Sequence, residues 1–104
     1  MSEAVKIAET AELAPGGKKL VDVDGHALAL FRVGDDYYAV DDVCTHDGGP
    51  LAEGDLEGTE IECPRHGARF DVRTGAVTCF PAVEPVPTHP VEVRDDGVYV
   101  RIDD

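Results

Sequence analysis

The 104 residues carry 22 Asp and Glu against 9 Lys and Arg, a formal charge of -13 that argues against nucleic acid and anionic lipid as partners. With 42% apolar and 30% charged residues the chain has the make-up of a globular domain, and its length suits one domain, 1–104, without room for two independent cores. The longest uninterrupted apolar run, residues 27–31, is far short of the roughly 20 that cross a bilayer, and residues 1–14 lack a secretory h-region, so a cytoplasmic protein with no membrane attachment is expected.

From the N-terminus onward no 3.6-residue period emerges, whereas short alternating runs bounded by Asp and Gly recur. The pattern predicts an all-β protein. Residues 20–23, 27–33 and 37–40 are separated by Asp24-Gly25 and Gly34-Asp35-Asp36, which suit tight hairpin turns and predict an antiparallel meander.

The segment 43–80 differs. It holds Gly48, Gly49, Pro50, Gly54, Gly58, Gly67 and Gly75 with only short strand-like pieces at 59–63 and 69–72. It is expected to form a loop-rich subdomain inserted into the basal β domain. Pro81, Pro85, Pro87 and Pro90 then give an extended connector across the surface, able to pair only at a sheet edge. Finally Val91 and Val93 alternate with polar residues, as do Val98, Val100 and Ile102, on either side of Asp95-Asp96-Gly97, a further hairpin.

The irregular middle carries the chemistry. Cys44-Thr45-His46 and Cys63-Pro64-Arg65-His66 place one thiol and one imidazole on each of two loops, with sixteen residues between His46 and Cys63. Alone, each is an ordinary buried Cys or solvated His. Two Cys and His pairs set among glycines, which add nothing to a core, point instead to a metal site. Two metals compete for it. Tetrahedral zinc takes Cys₂His₂ sets, making the chain a zinc-stabilised interaction module, although zinc fingers group the two Cys on one element and the two His on another. The mixed pairs seen here suit two irons bridged by sulfide, one taking both sulfurs and the other both nitrogens.

The runs CTHDGGPL and CPRHGARFDVRTG closely resemble the Rieske ferredoxins of bacterial ring-hydroxylating oxygenase systems. The resemblance implies antiparallel β-sheets, as a sandwich or partial barrel, with one [2Fe–2S] cluster in a tip subdomain. Cys44 and Cys63 would bind the inner iron, and His46 and His66 the outer, solvent-facing iron. It also implies a soluble carrier that takes single electrons from a flavin-dependent reductase and passes them to a terminal oxygenase. No nucleophile-and-base pair or paired-carboxylate site stands out, so the chain is expected to be an electron-transfer component, not an enzyme. A fixed redox subunit, such as the small subunit of a nitrite reductase, is the alternative within the same fold.

Charge counting sets the redox expectation. Two ferric ions and two sulfides carry 2+, which two thiolates neutralise and four would overshoot, so Rieske centres lie at about -150 to +300 mV against about -400 mV for four-thiolate clusters. High-potential members of the family carry a disulfide and two hydroxyl donors beside the cluster. The matching positions here are Gly49 and Arg65, and Ala68 and Phe70. A potential at the low end is expected, falling further at alkaline pH as ligated imidazoles lose protons.

Other residues carry weaker signals. Gly48 and Gly67 either bring backbone N–H groups toward the sulfurs or punctuate loops, and Pro50, Leu51 and Pro81 are expected to shield the site. Cys79 has no paired Cys or His and reads as a packing residue or free thiol. His26 and His89 stand alone as solvated or satisfied side chains. Arg65, Arg69 and Arg73 form either a docking patch or local pairs with Asp71, Glu60 or Glu62, and the acidic excess either serves solubility or steers toward basic docking surfaces.

Overall fold

A computed structural model describes residues 4–23, 25–42, 51–64, 67–79 and 84–101. Among them the chain forms eleven strands and one short 3-10 turn. The expected meander is present as β2 (Lys18–Val23), β3 (His26–Val33) and β4 (Asp36–Asp41). Its registers run from Lys18↔Phe31 to Val23↔His26 and from Leu28↔Asp41 to Val33↔Asp36. Gly34 turns the second hairpin at φ 60°, a left-handed backbone that only glycine adopts without strain.

The first strand, β1 (Ala4–Ala8), escaped the sequence reading because its alternation is short and interrupted by a bulge. It pairs with β11 (Gly97–Arg101), which also forms the expected hairpin with β10 (Val91–Arg94). The sheet order is β1-β11-β10.

The middle segment is more regular than its glycines suggested. A 3-10 turn at Leu51–Glu53 leads into a four-stranded antiparallel sheet of β5 (Asp55–Glu57), β6 (Glu60–Glu62), β7 (Arg69–Asp71) and β8 (Val77–Cys79). Leu56, Ile61, Phe70 and Val77 are successive cross-strand partners, so one apolar row crosses all four strands. Strands of three residues give only one inward side chain each, too few to print an alternating pattern.

Of the proline-rich stretch, β9 (Thr88–His89) adds to the edge of the meander, giving the order β2-β3-β4-β9 and meeting the expectation for an edge strand. The expectation of a surface connector is corrected at Val86. That side chain is buried, and its N–H donates to Gly75 O at 2.9 Å.

Strand β3 is covered on both faces: Leu28, Ala29, Leu30 and Phe31 are each fully buried. Leu28 and Leu30 join Val21, Val23, Tyr37, Ala39, Val98 and Val100 in one core. Ala29, Phe31 and Val40 join Leu51, Ile61, Cys63, Ala68, Phe70, Val72 and Val86 in the other. The meander is thus a shared wall, with the terminal strands on one side and the four-stranded sheet on the other.

Candidate metal centre

Of the four expected ligands, Cys63 falls among the described residues; Cys44, His46 and His66 lie outside them. Cys63 follows β6 directly and is 1% exposed, clustered with Leu51, Ile61, Ala68 and Phe70. Its backbone opens a tight loop: Cys63 N–H donates to Ala68 O at 2.7 Å, and Gly67 N–H donates to Cys63 O at 3.2 Å. These bonds hold the two ends of the 63–68 loop together.

Gly67 makes that closure feasible with φ 77°. Its N–H is already bound to Cys63 O, so of the two roles weighed for this glycine the turn is the one seen. Shielding was expected at Leu51, which is fully buried in the same core as Cys63. Pro50, Pro81, Gly48 and Gly49 lie outside the described residues.

The approach to the other expected loop is also fixed. Asp41 N–H donates to Pro87 O at 2.9 Å and Asp42 N–H to Ala27 O at 3.1 Å, while Asp42 Oδ1 accepts from Ala52 N–H at 2.7 Å. The last described residue before Cys44 is therefore tied both to the meander and to the 3-10 turn that starts the four-stranded sheet.

The donor chemistry at Cys63 fits an iron-sulfur cluster. A sulfur at the mouth of a pinned loop, buried among aliphatic and aromatic side chains, offers a soft ligand of the kind such a cluster takes.

Beside this loop, Arg69 resolves the choice between docking patch and local pairing. It donates to Glu57 at 3.1 Å, Glu62 at 3.1 Å and Glu60 at 3.5 Å, and the hydrogen bond to Glu57 leads the effects that push its pKa up. Three carboxylates on adjacent strands would repel one another, and one guanidinium relieves them together. Arg73 pairs with Asp71 at 2.8 Å, a bond that holds the Asp71 carboxyl below its usual range. Arg65 lies outside the described residues. Cys79 is exposed and forms no disulfide, which corrects the packing alternative in favour of a free thiol.

A second constellation was missed. His26 and His89, taken separately as isolated side chains, both reach Asp41 Oδ1 through Nε2, at 2.7 and 2.6 Å. The rings meet edge to face at 5.3 Å. Sixty-three positions separate these histidines in the chain, and only the order β3-β4-β9 brings them to one carboxylate.

Antiparallel sheets packed on both sides of a meander, with a buried Cys opening a tight loop after β6, define a small all-β domain. Residues 3–90 match the family model of the Rieske [2Fe-2S] domain, and the chain belongs to that family. It is 44% identical over 91 residues to the ferredoxin component of the naphthalene 1,2-dioxygenase system of Pseudomonas aeruginosa, covering 88% of each chain. Among solved structures it resembles the ferredoxin of carbazole 1,9a-dioxygenase from Nocardioides aromaticivorans IC177, with TM-score 0.90 and 40% identity over 93% of this chain and 95% of that one. It likewise resembles a chain in a complex of reduced oxygenase and oxidized ferredoxin in carbazole 1,9a-dioxygenase, with TM-score 0.90 and 41% identity over 93% and 91%.

Proposed function

We propose that this protein is the ferredoxin component of a ring-hydroxylating type of oxygenase system, carrying single electrons from a flavin-dependent reductase to a terminal oxygenase in the cytoplasm. One [2Fe–2S] cluster per chain is held by Cys44, His46, Cys63 and His66, and the segment 43–80 is the cluster-bearing part of a single domain. The observation that carries this reading is the buried Cys63 at the mouth of the 63–68 loop, in a chain similar to dioxygenase ferredoxins over most of its length.

When bound, the cluster supplies a reversible one-electron couple. The chain's own residues do the rest. The Cys63 thiolate offsets iron charge from the buried side, while Leu51, Ala68 and Phe70 keep water away from it. By their resemblance to the Rieske ferredoxins, His46 and His66 would bind the outer iron and offer the exit port toward the partner. The acidic surface favours partners with basic docking faces.

Protein purified anaerobically and reduced with dithionite should give a rhombic electron paramagnetic resonance signal with an average g below 2, and contain iron and acid-labile sulfide in equal amounts. A colourless protein whose single zinc ion per chain is lost in Cys63→Ser would establish the interaction-module reading instead.

A further inference from the structure

We propose that His26, Asp41 and His89 form a second metal site, for a divalent ion of the zinc class, separate from the iron-sulfur centre. The register builds it. Asp41 lies opposite Leu28 on β3, so His26, two residues back, is its diagonal neighbour on the same face. On the other side Ala39 pairs with His89, which makes His89 the matching diagonal neighbour of Asp41. Three consecutive strands of one sheet therefore each deliver one ligand-type side chain to one spot.

The geometry is convergent. The two Nε2 atoms and the carboxylate oxygen all lie within 4.8 Å of one another. Bond lengths of about 2.0–2.1 Å to zinc put neighbouring ligand atoms of a tetrahedron about 3.3 Å apart. The present 2.7 and 2.6 Å contacts are shorter than that spacing, and an ion would replace these hydrogen bonds with coordination bonds to the same atoms. Both imidazoles then carry their proton on Nδ1 and present the Nε2 lone pair, so the ion meets two neutral nitrogens and one carboxylate.

The surroundings favour a cation. The side chains of His89 and Asp41 are 10% and 19% exposed and that of His26 is 43% exposed, so the site has a sheltered floor and one open side for a water ligand. Burial works to raise the Asp41 carboxyl, but the hydrogen bonds from His89 and His26 prevail and hold it below the usual carboxylate range. A negative charge thus already stands between two imidazoles. Two imidazole nitrogens and one carboxylate oxygen are a donor set that zinc-class ions take.

Occupancy would clamp the ends of β3, β4 and β9 three residues before Cys44, bracing the segment that carries two of the expected cluster ligands. The site stands independently of what the cluster does.

The test is calorimetric titration of Zn²⁺ into the iron-loaded protein, with iron content and visible absorbance followed throughout. The expected result is one Zn²⁺ per chain with iron unchanged, and a higher unfolding temperature. Affinity should drop by more than about tenfold in His26→Ala, a half-exposed position whose removal spares the core, and likewise in Asp41→Asn. No saturable binding, undiminished binding in His26→Ala, or zinc uptake matched by loss of iron would overturn the site. Loss of iron would show zinc entering the cluster ligands, and a protein that never held iron would count against the ferredoxin reading alone.

Discussion

Gly75 and Val86 are locked together across the gap between the four-stranded sheet and the meander. Val86 N–H donates to Gly75 O at 2.9 Å, and a β-carbon at Gly75 would collide with Val86 O. Gly75 also sits at φ 79°. Any side chain there therefore meets both a backbone penalty and a carbonyl that cannot swing away. Gly75→Ala should cost more than about 2 kcal/mol in denaturant unfolding of the iron-loaded protein. Gly34→Ala, at φ 60° with open space around it, should cost about 1–2 kcal/mol.

The two described cysteines should separate cleanly. Cys63→Ser should abolish the visible spectrum and the paramagnetic signal, because oxygen is a poor substitute for sulfur toward iron and the site is dry. Cys79→Ser, at an exposed strand position, should leave both unchanged while removing reactivity toward thiol reagents.

The reduction potential should lie toward the low end of the Rieske range of about -150 to +300 mV. Ala68 and Phe70 are fully buried beside Cys63 and offer no hydroxyl donor. Ala68→Ser and Phe70→Tyr should each raise the potential by tens of millivolts in protein-film voltammetry, since a donor to the cluster sulfurs favours the more negative, reduced state. Unchanged potentials in both variants would count against these positions as the tuning sites.

Asp41 should contribute to acid stability with a definite sign. Its carboxyl is held below the usual range, so its contribution is complete above about pH 3.9, the unfolded value, and is lost as pH falls through the lower folded value. Asp41→Asn should be about 1–2 kcal/mol less stable than the parent at pH 7. That difference should shrink as pH falls through the lowered folded value of the Asp41 carboxyl, measured by urea unfolding across an acid series.

The hairpins were legible because Gly25 and Gly34 sit between long alternating runs, and β3 reads as a strand from composition alone. The sequence motif around Cys63 and His66 led to its expectation as a ligand, and the structure places Cys63 buried at the start of a tight loop. What the sequence hid is long-range pairing. Nothing near Ala4–Ala8 announces its partner at Gly97–Arg101, and Val77–Cys79 contributes one inward side chain. His26 and His89 each look solitary because the residue that joins them, Asp41, is one acidic residue among 22. Periodicity reports which way a side chain faces, and the order of strands in a sheet decides which side chains meet.

The sheet β2-β3-β4-β9 has a further consequence for anyone wishing to graft the redox loops elsewhere. Ala29, Phe31 and Val40 floor the half that contains Cys63, yet they belong to strands whose alternate residues, Leu28, Leu30 and Ala39, roof the opposite half. A minimal peptide spanning only the 43–80 region would leave that floor behind and expose Ile61, Phe70 and Val72 to water. The loops are not a portable cassette: an excised version must bring a substitute back wall or stay insoluble, and a host scaffold succeeds only if it offers an apolar strand pair of matching twist.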